Sequence, residues 1–152
     1  MIVYLDTSVV LRVLFREADP FPGWGKWDKA YSSRLLRIEA FRTFDRMRLA
    51  GTLTDREAAQ LAKEIQIVYG TLFVMPLDDS ILRRAGESFP TAIGTLDAIH
   101  LSTALAVRAF EMVDALVTHD EQLAIAAECL GFEVLGVGKR GRGKLPTRRT
   151  SR

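Results

Sequence analysis

The chain has 152 residues, 48% of them hydrophobic and 26% charged, a size and balance that suit one globular domain with a real core. Its single cysteine, Cys129, excludes an internal disulfide and a cysteine metal cage; within AIAAECLGF it is expected to pack as a small core hydrophobe. The net charge of +2 hides a division: the last 14 residues, KRGRGKLPTRRTSR, hold seven Lys/Arg and no acid, so the first 138 carry 14 bases against 19 acids, a net of −5. The sequence therefore divides into a domain over 1–138 and a basic tail over 139–152, expected to be flexible and to serve either as a solubilising end or as an arm on a polyanion. MIVYLDTSVVL lacks the basic lead-in and cleavage site of a signal peptide, and no run reaches the roughly 18 apolar residues of a membrane span. A cytoplasmic location without membrane contact is expected.

In chain order, Ile2–Leu5 reads as a short β-strand that delivers its end to a helix over Thr7–Phe15. The segment DPFPGWGKWD, with two prolines and two glycines, is a loop whose Trp24 and Trp27 either pack it down or stack bases. Lys29–Ser32 is a second strand, and Ser33 is expected to cap a helix that runs to Ala50 and stops at Gly51. Thr54 with Glu57 has capping-box spacing for the next helix. Leu72–Leu77 is a strand, Asp78–Ser88 a helix, Phe89–Thr95 a loop and Leu96–Glu111 a helix. Ala115–Thr118 is a buried strand, Glu121–Leu130 a helix stopped by Gly131, and Phe132–Val137 the last strand. Strands that are short continuous apolar runs, alternating with helices, imply a three-layer α/β/α domain around a mainly parallel sheet of four or five strands. Ligands in such sheets bind beyond the carboxyl ends of the strands.

Four acids draw notice under that rule. Asp6 ends the first strand, where aspartate is disfavoured, and Asp120 lies just past ALVT at a helix start. Asp97 opens a long helix. Glu39 sits mid-helix among Leu35, Leu36, Ile38, Ala40 and Phe41, where a carboxylate is costly unless paired or bound to a cation. Taken singly, Asp97 and Asp120 also read as plain helix caps. Asp55, Asp78 and Asp79 begin helices too, but nothing places them at the same edge, and Asp114 precedes its strand and belongs at the opposite one.

These residues also carry a family resemblance. VYLDTSVVLRVLF, SSRLLRIEAFRTF, GTLDAIHLSTAL and LVTHDEQLAIAAECLGFEV resemble the four blocks of PIN-domain ribonucleases, in order and in approximate spacing across most of residues 1–137. Within that family the chain is similar to the toxins of VapBC-type toxin–antitoxin pairs. The resemblance implies an acidic pocket of Asp6, Glu39, Asp97 and Asp120 that holds Mg²⁺ or Mn²⁺ and hydrolyses RNA to a 5′-phosphate and a 3′-hydroxyl. It implies a homodimer silenced by a cognate VapB-type antitoxin, which lays a C-terminal segment over the pocket and binds operator DNA with its other end. Asp6 and Asp97 are the principal candidate ligands, with Glu39 and Asp120 as second ligands or water-orienting groups. Clustered carboxylates repel one another, and a hard divalent ion relieves that repulsion.

Further features remain open between two readings. Thr7 and Thr118 either donate hydrogen bonds to the acids or are helix-start hydroxyls. His100, one turn beyond Asp97, is a structural hydrogen-bonding group or a general base. Arg42 and Arg46, at i+3 and i+7 from Glu39, anchor RNA phosphates or pair with Glu39 and Asp45. Two rival functions fit the residues less well. A phosphatase with a strand-end aspartate nucleophile needs a second Asp two residues on, where Ser8 stands. A catalytically inactive PIN module that only binds RNA or protein is opposed by the intact set of four acids.

Overall fold

The computed structural model of the chain describes residues 1–138; the proposed basic tail, 139–152, lies outside the described residues. Strands β1 (Ile2–Leu5), β2 (Lys29–Ser33), β3 (Phe73–Met75), β4 (Ala115–Val117) and β5 (Val134–Leu135) alternate with six helices. These are α1 (Thr7–Leu14), α2 (Leu35–Leu49), α3 (Asp55–Gly70), α4 (Asp79–Ala85), α5 (Thr95–Arg108) and α6 (Glu121–Cys129). The five strands form one sheet in the order β3-β2-β1-β4-β5 with every pairing parallel. The chain leaves β1 towards β2 and β3 and later returns to the other side of β1, so the winding switches between β1 and β4. A crevice opens beyond the strand ends at that point.

The layers follow from side-chain alternation along β1. Tyr4 faces a core shared with Leu101, Ala104 and Val107 of α5 and Leu123, Ala126 and Ala127 of α6. Val3 and Leu5 face the other way, against Val9, with Trp24 and Trp27 packed onto that cluster. Val10 and Leu14 meet Leu36, Ala40 and Phe44 of α2 and Leu61 and Ile65 of α3. Leu36 and Ile65 are fully buried, so truncating either to alanine costs about 2–5 kcal/mol. The two tryptophan rings meet edge-on at 5.2 Å, so the loop aromatics pack the loop onto the sheet. The capping box at Thr54 forms as its spacing predicts.

Several expectations need correction. Ser33 belongs to β2, and Arg34 occupies the cap position of α2 without a side-chain cap bond. The Ser33 hydroxyl still accepts from the Leu35 amide (3.1 Å), so its capping chemistry survives one position earlier. Cys129 is exposed at the end of α6, because the face of that helix turned to the sheet is filled by Leu123, Ala124, Ala126 and Ala127. The last strand contracts to Val134–Leu135 and α4 to Asp79–Ala85. No helix among the described residues is long and apolar enough to cross a membrane.

Candidate active site

Asp6 is both the residue after β1 and the N-cap of α1, and it is 5% exposed. Its Oδ2 accepts from the Ser8 amide (3.2 Å), the Ser8 hydroxyl and the Thr118 hydroxyl (3.0 Å). Each of these hydroxyls also accepts a backbone amide from the segment after β4. His119 N donates to Ser8 Oγ at 3.0 Å, and Asp120 N donates to Thr118 Oγ1 at 2.9 Å. Two hydroxyls thus bridge the ends of β1 and β4 across the switch point and orient one carboxylate. Asp120 caps α6 through the Leu123 amide (2.8 Å) and is exposed at the crevice.

Asp97 lies in the first turn of α5, after the cap residue Gly94, and is half-buried. Burial raises its pKa first, followed by the charges of Asp120 and Asp6; the Gly94 amide and His100 oppose the shift and are outweighed. The charges of Asp120 and Asp6 thus act on Asp97 from the same end of the sheet. Glu39 comes from α2, which packs against α1, α3 and α5. Its Oε2 accepts a short hydrogen bond from the Thr7 hydroxyl and lies 2.7 Å from His100 Nε2. His100 is 1% exposed, with Nδ1 3.0 Å from the Tyr4 hydroxyl and Nε2 3.6 Å from Asp6 Oδ1. Burial pulls its pKa down, but the Glu39 hydrogen bond and the Asp6, Glu39 and Asp97 charges more than reverse this, and the net shift is upward.

The fold therefore brings Asp6, Glu39, Asp97 and Asp120 to one end of the sheet, with Thr7, Thr118 and His100 beside them. Among the described residues no three acidic, His or Cys side chains are already gathered as a metal cage. The hydrogen bonds explain this: Oδ2 of Asp6 is held by hydroxyls, Asp120 by its helix and Glu39 by His100 and Thr7. In kind the donors fit a hard divalent ion, since the carboxylates at this end of the sheet offer oxygen ligands and the nearest imidazole is already committed to Glu39.

Arg42 pairs with Asp45 (3.0 Å), and Glu39 takes His100 and Thr7 in place of an arginine. Arg46 lies with Arg12, Ser8 and His119 along a groove of about 650 Å³ that includes Asp120 among its lining residues. A second groove of about 660 Å³, between Leu82, Phe89, Pro90 and Ile93, is lined by none of the four acids.

Sequence reasoning missed Ser8, Tyr4, His119 and Gly136. Ser8 had a signal, since a hydroxyl two residues after a helix-capping Asp is placed to bond it. Gly136 had none: it adopts φ +97°, a Cβ there would come 2.5 Å from the Thr118 carbonyl, and its own carbonyl accepts from His119 Nδ1 at 2.5 Å. It presses the turn after β5 against the site.

The arrangement is that of a PIN domain: the PIN domain family model matches residues 3–128, and the chain belongs to that family. It is 30% identical over 136 residues to ribonuclease VapC46 of Mycobacterium tuberculosis (strain ATCC 25618 / H37Rv), covering 88% of this chain and 95% of that protein. It is 27% identical over 143 residues to ribonuclease VapC47 of M. tuberculosis (strain CDC 1551 / Oshkosh), covering 90% and 97%. Among solved structures it resembles VapBC2 from Rickettsia felis bound to a DNA fragment from their promoter, with TM-score 0.62, 15% identity and coverage of 88% and 97%. A toxin–antitoxin complex from Klebsiella pneumoniae gives TM-score 0.58 at 14% identity, covering 80% and 90%. At these identities the structural likeness speaks for the fold.

Proposed function

We propose that this chain is an endoribonuclease that depends on Mg²⁺ or Mn²⁺ and acts as the toxin of a VapBC-type pair. The observation that carries the reading is a PIN-domain chain whose four acids lie at the carboxyl-terminal end of the sheet around its switch point, with Asp97 pushed up by burial and then by the charges of Asp120 and Asp6. Near full-length similarity to two proteins named as VapC ribonucleases supports the substrate class. Asp6 and Asp97 would hold the ion, and Asp120 and Glu39 would complete the set or orient water. A bound divalent ion supplies the charge that polarises the scissile phosphate and acidifies the attacking water. The protein's part is positional. Ser8 and Thr118 fix the rotamer of Asp6, and Arg46 and Arg12 flank the groove where neighbouring phosphates would lie.

Purified protein is expected to cleave RNA with Mg²⁺ or Mn²⁺, leaving 5′-phosphates, and to stop when EDTA is added. Activity undiminished by EDTA overturns the metal dependence. Expression is expected to halt bacterial growth, and a short reading frame immediately upstream to encode a small DNA-binding protein that restores it. A homodimer belongs to the same reading, and light scattering on the purified chain measures it.

A further inference from the structure

His100 is fully buried in the midst of the acids, yet the proposed chemistry does not use it. An imidazole 1% exposed, with both nitrogens engaged by protein groups, has no direct contact with water in the crevice. Its surroundings fix its chemistry. Nε2 faces Glu39 Oε2 at 2.7 Å and Asp6 Oδ1 at 3.6 Å, and a lone pair directed at two carboxylates is repelled, so Nε2 carries a proton and donates to Glu39. The Thr7 hydroxyl donates to the same Glu39 oxygen and lies 3.1 Å from Nε2. On the far side, Nδ1 meets the Tyr4 hydroxyl at 3.0 Å, and the Tyr4 ring stands edge-on to the imidazole at 6.1 Å and 76°. Tyr4 is itself fully buried in β1, so the imidazole is clamped from behind and cannot turn. One ring on α5 thus ties a carboxylate on α2 to the end of β1.

We infer that His100 is a positioning residue, clamped by Tyr4, which holds the Glu39 carboxylate beside Asp6 and thereby sets the affinity of the acidic cluster for a divalent cation. This rests on the metal-dependent reading above. Without the Nε2 donor, Glu39 keeps only the Thr7 hydroxyl against the repulsion of the neighbouring carboxylates, and that repulsion moves it away from them. Glutamine at position 100 retains an N–H donor near the place of Nε2; leucine fills the space without one.

The test is Mn²⁺ binding to the full chain, read from the electron spin resonance of free Mn²⁺, which needs no RNA and no turnover. His100→Leu is expected to raise the Mn²⁺ Kd about 10–100-fold, the range for losing a partner that orients a metal ligand, and His100→Gln to recover most of it. In a Glu39→Gln background, His100→Leu is expected to add nothing further, because His100 acts through Glu39. A residue that only stabilises the fold would lower Tm in both backgrounds and leave the Kd of the folded protein unchanged. An unchanged Kd, or an equal loss in both backgrounds, overturns the inference. If His100→Leu does not fold, Tyr4→Phe, which removes only the hydroxyl on Nδ1, is expected to raise the Kd by a smaller factor and only while Glu39 is present. No change there also overturns it. If the wild type takes up no Mn²⁺, the metal reading itself fails; if it binds and the variants bind equally well, only the role of His100 fails.

Discussion

The two ends of the sheet use the same acidic residue types to opposite effect. At the amino-terminal edge three acids each have a donor of their own. Asp28 meets the chain's amino terminus, Asp114 accepts from the Ile2 amide at 2.6 Å, and Glu111 receives Lys29 Nζ at 3.0 and 3.2 Å and the Tyr31 hydroxyl at 3.1 Å. The amino-terminal ammonium lowers the pKa of Asp28 and the Lys29 hydrogen bond that of Glu111. At the carboxyl-terminal edge Asp97 moves the other way, raised by burial and then by Asp120 and Asp6. An acid with a cation beside it is electrostatically complete. Acids that face one another keep an unmet demand for positive charge, and that demand marks the working end of the molecule.

The largest effects should come from breaking that cluster. Asp6→Asn and Asp97→Asn are each expected to lower RNA cleavage with Mn²⁺ by more than about 100-fold, since loss of a ligand exceeds the 10–100-fold typical of its supporting partners. Circular dichroism should show both variants folded. Near wild-type cleavage by either one, with contaminating nuclease removed by a further column, would end the assignment. Ser8→Ala and Thr118→Val come next. Each removes one of the hydroxyls that orient Asp6 Oδ2, and each is expected to cost about 10–100-fold in kcat/KM. Full activity in Ser8→Ala would show that Asp6 is oriented without that bridge.

How much of this contrast was legible in the sequence depends on the range of the signals involved. The parallel sheet and the place of Asp6 are written locally: an apolar run, an aspartate where a strand disfavours it, then a helix. The capping box at Thr54 and Glu57 is equally local. Glu39 stood out because its neighbours are apolar. What failed needed tertiary knowledge. Cys129 lies in an apolar run, yet only the helix phase set by Leu123, Ala126 and Ala127 decides that it faces out. Tyr4 reads as another core residue of β1, and its bond to His100 joins positions 96 residues apart. Gly136 acts through a close approach to Thr118 that no local pattern encodes. The helix caps and the strand end carry the site's outline, and contacts distant in sequence carry its orientation.

The opposed pKa shifts yield a stability test of moderate size, read without RNA. Asp97 is raised in the folded state, so its ionised form is disfavoured by folding. Its contribution to metal-free stability improves as pH falls through the raised value towards the ordinary carboxylate range, and it is adverse at neutral pH. In EDTA at pH 7, Asp97→Asn is therefore expected to melt at or above wild type, and the difference should shrink as pH is lowered through that window. Added Mn²⁺ should raise Tm of wild type far more than of Asp97→Asn. A variant that melts well below wild type in EDTA would make Asp97 chiefly a cap on α5, and equal metal shifts in the two proteins would place the ion elsewhere.

The smallest expected effect lies at the opposite edge and serves as the control for all the others. Glu111 is lowered by Lys29, so its stabilising contribution is present above the ordinary carboxylate pKa and is lost as pH falls through its lowered value, the reverse of Asp97. Glu111→Gln replaces the carboxylate with a neutral acceptor for Lys29 and Tyr31, and the pair it weakens is still partly exposed to water, where screening keeps the weight of such contacts modest. Melting temperature is expected to fall only slightly at pH 7, with that difference vanishing in acid, and Mn²⁺ binding and RNA cleavage should match wild type. The comparison between the edges depends on this result. A change in Mn²⁺ affinity on Glu111→Gln would show that removing any one acid alters cation binding through net charge alone, and the local geometry around Asp6 and Asp97 would lose its claim to explain the site.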